Sequence, residues 1–324
     1  LHFHLWERGK KVLVIDNNHE KSASIVAAGM YNPIVFKRVT KGWNVDKYSP
    51  YVTPFYNRLE KQLNTTLDYP MNILRFFKTI EQQNDFFSKT EEVGFSQYLV
   101  SESKSEVNHL PVKNEIGFGE ITETGWVNTV ELLNKYRAFL ESKDLLINEK
   151  LDFEKLKLQE ETVHYQDISA DKIIFCEGYQ SINNPYFDDL PFKLTKGELL
   201  TVRFKNLKLN HAINKGVFVL PSDGNYKLGA TYNWEELDEN PTKEGKEQLL
   251  KRAARFINDE MEVIAHKAGV RPTVADRKPL LGEHSKHKNL FIFNGLGTKG
   301  VMLARILQIR WFVLYYTTQH CQME

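Results

Sequence analysis

Cysteine is nearly absent from this chain. Cys176 and Cys321 are the only two in 324 residues, they lie far apart, and neither sits in a metal or redox spacing. A disulfide framework is therefore excluded, and a reduced, cytoplasmic protein is the simplest reading. No apolar run approaches the roughly 20 residues that span a bilayer, and no signal-peptide pattern opens the chain. Charge of one sign is also missing. Forty-three basic and forty-two acidic side chains leave a net charge of +1, which speaks against a dedicated nucleic-acid or membrane surface. There are no internal repeats, no low-complexity segments, no G-x-S-x-G, no P-loop and no C-x-x-C. His284 and His287 lie in a lysine-rich loop without a third ligand, so they read as a solvated turn and no metal is expected. What remains is ordinary globular composition, 41% hydrophobic and 26% charged, in a chain long enough for one two-lobed unit or two domains.

The most informative stretch runs from Ala268 to Val301. Leu290–Phe293 is apolar, β-prone and bounded by turn residues, so it reads as a buried strand. Gly295, Gly297 and Gly300 follow it, and Met302-Leu303-Ala304 opens a helical pattern. A strand that feeds a glycine turn and a helix start leaves free backbone N–H groups and a positive dipole end. Lys299 adds a formal positive charge there. Upstream, Arg271 precedes Pro272, which biases it to an extended conformation. The stretch is suited to negative charge: an anionic ligand, an anionic intermediate, or both.

The pattern G-x-R-P-T-x-x-D-x-x-P-x-x-G over Gly269–Gly282, followed by a strand and N-G-x-G-x-x-G-V over Asn294–Val301, resembles the C-terminal signature of the D-amino-acid oxidase / glycine oxidase family. The resemblance implies an FAD-dependent enzyme that oxidises amines. It is strongest over 265–303, weaker over 11–34 and 170–200, and fails after Ala304. It implies cofactor-binding roles for Asp16, Asn17, Ser24, Ala28, Gly29, Met30, Gly178, Gly295, Gly297, Thr298, Lys299 and Gly300. It further implies that Arg271 and Lys299 serve the chemistry. Cys176-Glu177-Gly178 stands where the family has an A-T-G-like turn and keeps only the glycine; the residues alone give no reason for Glu177.

The fold class expected is α/β with α+β lobes. A discontinuous Rossmann-like FAD-binding domain would comprise 1–65, 127–189 and 265–324, and a mainly antiparallel β substrate domain with helices would comprise 66–126 and 190–264. Leu1–Arg8 reads as the end of an amphipathic helix stopped by Gly9. Lys11–Asp16 reads as a parallel strand buried on both faces and closed by an acid. Helix, glycine, strand and acid form the second half of a dinucleotide-binding unit, whose acid bonds a ribose hydroxyl. The first strand and its G-x-G-x-x-G are expected upstream of Leu1. Without the resemblance, Asp16 reads as a strand cap. Helices are expected over Pro54–Leu63, Glu81–Phe87, Thr129–Ser142 after an Asn128/Glu131 capping pattern, and Pro241–Asn258 with Leu250, Ala254 and Ile257 inward. Tyr69–Ile80, Phe118–Ile121, Ala170–Gly178, Lys196–Val202 and a Phe218–Thr231 hairpin are expected as strands.

Under this reading a hydride passes from the α-carbon of an amine to flavin N5, and negative charge develops at the N1–C2=O edge. The cofactor supplies the chemistry and the protein supplies orientation and charge. Arg271 would clamp a substrate carboxylate through two parallel hydrogen bonds; its alternative is a salt bridge to Asp276. The partner expected is a small amine or amino acid. Two other readings stand beside this one: a flavin domain acting on a modified tRNA base, and a truncated, non-catalytic relative unable to retain FAD. Oligomeric state and the residues 305–324 carry no assignment.

Overall fold

The computed structural model describes residues 1–20 and 22–303. The expectation for 305–324 lies outside the described residues. An eight-stranded sheet organises one half of the molecule, in the order Met261–Arg271, Thr195–Phe204, Asn225–Gly229, Phe218–Ser222, Ala212–Asn214, Ile73–Phe76, Phe118–Ile121, Leu99–Val100. Every pairing in it is antiparallel except that of Ala212–Asn214 with Ile73–Phe76. One face of the sheet packs on the helix Lys243–Ala254 through Leu200, Val202, Leu228, Leu249 and Ala253, all buried. Each large apolar side chain so enclosed contributes about 1.5–3 kcal/mol.

The helix is shorter than its sequence pattern and turned by one position. Gly245, Leu249 and Ala253 face inward, whereas Ala254 is exposed. Gly245 sets this rotation: a Cβ there would lie 2.4 Å from the Glu198 carboxylate. Glu198 in turn accepts from the N–H and hydroxyl of Thr242, the residue that caps the helix.

The remaining parallel pairings join short strands in the other half. Val14–Ile15 pairs with Leu146–Ile147, and Ile173–Phe175 pairs with Leu290–Asn294, which also pairs antiparallel with Leu280–Glu283. The strand Val14–Ile15 is not buried on both faces: both of its residues are only partly buried, and Leu13 is 40% exposed. The Ala170–Gly178 run divides into Ile168–Ala170 and Ile173–Phe175 at the turn around Asp171. The run from Tyr69 to Ile80 likewise divides, into Asp68–Pro70 and Ile73–Phe76, with a helix from Ile80. Only half of the capping pattern at Asn128 forms. Its side chain accepts from Glu131 N at 3.1 Å, but the Glu131 carboxylate turns to the Thr65 hydroxyl. The three-stranded sheet Met30–Tyr31, Gly125–Val127, Asp68–Pro70 carries the chain between the two halves.

Candidate active site

A continuous cavity of about 3570 Å³ runs between the eight-stranded sheet and the parallel strands. Asp16, Asn17, Ser24, Ala28, Gly29, Met30, Gly178, Arg271, Gly295, Gly297, Thr298, Lys299 and Gly300 all border it. Residues separated by most of the chain thus share one space.

At one end, Asp16 closes the strand Val14–Ile15. Its Oδ1 accepts from Arg137 Nη1 at 2.8 Å and from Asn18 N at 3.1 Å. Its Oδ2 has no hydrogen-bond partner among the described residues, so the strand-cap role and a role toward a ligand hydroxyl are compatible. Arg137 is held in place by Glu141 and Asn148.

The middle of the cavity is lined by close backbone. Gly29 has φ +72°, and a Cβ on it would lie 1.9 Å from the Val127 carbonyl oxygen. Only glycine fits, because both the dihedral and the contact exclude a side chain. Across from it, the main-chain N–H groups of Gly297 and Thr298 donate to no other described residue. Lys299 is half-buried along the cavity, and its ammonium donates to the main-chain oxygen of Asn32. Burial lowers its pKa to about 8. The Asn32 side chain fixes that oxygen by bonding both Ile34 N and Ile34 O. Asn32 carried no assignment in the sequence reading.

In the turn Cys176-Glu177-Gly178 the acid is a structural tie. The Glu177 carboxylate accepts from Asn184 Nδ2 at 2.8 Å and Ser181 Oγ at 3.3 Å, closing the 3-10 turn Gly178–Asn183. Asn294, the last residue of its strand, donates to Gly178 O at 2.8 Å and Ser181 Oγ at 2.6 Å. The carboxyl ends of the two parallel strands are thereby tied together beside the cavity. Burial raises the Glu177 pKa above the usual carboxylate range.

Arg271 ends the long strand Met261–Arg271. Its guanidinium lies on the Tyr232 ring, 4.6 Å from the centroid, and donates weakly to Lys196 O and Thr231 O at 3.3–3.4 Å. Among the described residues no carboxylate pairs with it; Asp276 pairs with Lys278 instead. A positive charge bordered by carbonyl oxygens and an aromatic face keeps its demand for an anion. Gly197 makes the position available, since a Cβ there would sit 1.8 Å from Arg271 Nη2. A glycine inside a strand pattern signals such a close approach, and that signal was present in the sequence.

The cavity is continuous from the Asp16 carboxylate to the Gly297–Gly300 turn. The unpartnered Asp16 oxygen suits a ribose hydroxyl, the Gly29 backbone admits a flat ring, and the free N–H groups with Lys299 suit an electron-rich carbonyl edge. The residues present fit the cofactor. Among the described residues no helix is long and apolar enough to cross a membrane, and no group of three His, Cys, Asp or Glu could hold a metal.

The sequence pattern of the family described as FAD dependent oxidoreductase (DAO) matches residues 2–307. The chain is 33% identical over 114 residues to a glycine oxidase of Geobacillus kaustophilus (strain HTA426), covering 34% of this chain and 30% of that protein. It is 24% identical over 204 residues to the tRNA 5-methylaminomethyl-2-thiouridine biosynthesis bifunctional protein MnmC of Idiomarina loihiensis, covering 57% of this chain and 32% of that protein. These matches therefore span about a third of the relatives' length. Over the whole fold it superposes on iminodiacetate oxidase from Chelativorans sp. BNC1 with TM-score 0.79, at 18% identity over 96% of this chain and 90% of that one. Glycine oxidase from Geobacillus kaustophilus superposes with TM-score 0.77, at 19% identity over 97% and 90%. The chain shares the mixed α/β fold of these oxidases, and with its match over residues 2–307 it belongs to the DAO family of FAD-dependent oxidoreductases.

Proposed function

We propose that the protein oxidises the C–N bond of a small amine or amino acid, with FAD as cofactor. The observation that carries this reading is that Arg271 and Lys299 border one cavity, Arg271 without a carboxylate partner among the described residues. Bound FAD would supply the acceptor at N5 for a hydride leaving the α-carbon, converting the amine to an imine. The chain's own part is positional. Arg271 receives the substrate carboxylate in a bidentate pair and so fixes the α-carbon. Lys299 and the N–H groups of Gly297 and Thr298 hold the side of the cavity where negative charge develops. Asp16 and Gly29 hold the cofactor's adenosine side and ring side respectively. No side chain is asked to remove the α-proton as a base.

This reading accounts for Gly197 and Gly29, whose missing side chains make room for Arg271 and for the close backbone. The relatives are named for the oxidation of glycine and of iminodiacetate, which supports the substrate class. A second reading, action on a modified base in tRNA, draws on the longer alignment with MnmC. The net charge of +1 speaks against it.

The test is spectroscopic and kinetic. The purified chain should show visible flavin absorbance near one equivalent, bleached anaerobically by small amino acids and not by tRNA. In Arg271→Leu the absorbance should persist while KM for carboxylate substrates rises by about a hundredfold or more, a loss on the scale of a charged hydrogen-bonded pair. Arg271→Lys should recover little of it. A colourless folded protein would reject FAD binding, and an unchanged KM would reject the clamp.

A further inference from the structure

The loop between the strand Asn225–Gly229 and the helix Lys243–Ala254 presents two large aromatic side chains to the cavity. Tyr232 is 55% exposed and Trp234 57%. Both border the same space as Arg271. They stack on each other with centroids 6.2 Å apart at 24°, and the Arg271 guanidinium carbon lies over the Tyr232 ring. Adjacent exposed aromatics that border a cavity mark a surface that something apolar covers.

The loop is held in place. Asn233 and Lys196 exchange main-chain hydrogen bonds at 2.8 and 3.0 Å. The buried Lys196 ammonium bonds Asp238 at 2.6 Å. Tyr179, from the turn beside Gly178, donates to the Glu239 carboxylate. Anchors therefore stand between and beyond the two rings, and the pair is presented as a fixed wall.

We propose that Tyr232 and Trp234 select the substrate, and that this substrate is an amino acid bearing a flat apolar or aromatic substituent on its nitrogen or α-carbon. The inference rests on the reading of Arg271 as the carboxylate clamp. A carboxylate pairs with the guanidinium N–H groups, and the guanidinium carbon lies 4.6 Å from the Tyr232 ring centroid. The substituent of an acid held in that way stands beside the aromatic pair. Glycine, with a hydrogen there, would leave both rings in water. A ring-sized substituent would cover them and gain offset or edge-to-face contact.

The test is equilibrium binding of acetate and phenylacetate to the full chain supplied with FAD, by calorimetry. Phenylacetate should bind at least about tenfold more tightly, the scale of filling one apolar subsite. Trp234→Ala should bring the ratio of the two affinities close to one, and Trp234→Phe should restore most of it. Equal affinities in the wild type, or a ratio that Trp234→Ala leaves unchanged, would overturn the wall. If neither acid binds, or if Arg271→Leu binds acetate as the wild type does, the clamp itself fails and the wall with it.

Discussion

The ammonium of Lys299 donates to the main-chain oxygen of Asn32, 267 positions earlier in the chain. This contact joins the glycine turn after the strand Leu290–Asn294 to the loop that follows Gly29. These two edges of the cavity are thereby joined by a single bond, and Lys299 is a strut as well as a charge.

That arrangement has a pH signature. Burial lowers the Lys299 pKa from the usual 10.5 to about 8. Below about pH 8 the folded and unfolded chains both carry the proton, and the cost of burying the charge is present in full. Between about 8 and 10.5 the unfolded chain binds more protons, so this residue makes stability rise with pH. Urea unfolding of wild type and Lys299→Met without FAD, at pH 7, 9 and 11, should show their difference moving in favour of the wild type. A constant difference would remove the buried charge from the account.

Gly197→Ala tests the clamp without touching Arg271. The new methyl would overlap Arg271 Nη2 at 1.8 Å, so the guanidinium must move away from Lys196 O and Thr231 O. Carboxylate affinity should fall at least about tenfold, the cost of losing geometry in a bidentate pair, with flavin absorbance retained. Wild-type affinity in this variant would mean that the observed Arg271 position does not matter for binding.

Gly29→Ala tests the ring side. Its φ of +72° costs an alanine about 1 kcal/mol or more, and the 1.9 Å overlap with Val127 O adds to that. Denaturant unfolding should show a loss of stability, and FAD affinity should fall with it. An alanine variant as stable as the parent would show that the backbone here relaxes freely.

Much of this protein was legible in the chain itself, wherever the relevant physics is local. Leu290–Phe293 declares a strand by composition, and Gly295, Gly297 and Gly300 declare a turn of restricted dihedrals. Arg271 before Pro272 stands out for the same reason. Phe218–Ser222 and Asn225–Gly229 form a hairpin over the Asp223-Gly224 turn. The sequence was less informative where an element's environment decides. The run Lys11–Asp16 reads as a buried strand, yet it is only partly buried and borders the cavity. The helix near Leu249 turns by one position because Gly245 must face Glu198.

What the residues determined by themselves is the set of local devices: glycine turns, the strand-ending acid at Asp16, a positive charge at position 299 and a guanidinium at 271. What only tertiary structure decided is which of them meet. Register places Arg271 opposite Thr195, and so puts its side chain over Gly197, diagonally across the pair of strands. The same pairing, with the Lys196–Asn233 bridge, brings Tyr232 and Trp234 to the cavity. Pairing of this kind links residues tens of positions apart, and no periodicity within one segment encodes the partner it will lie against.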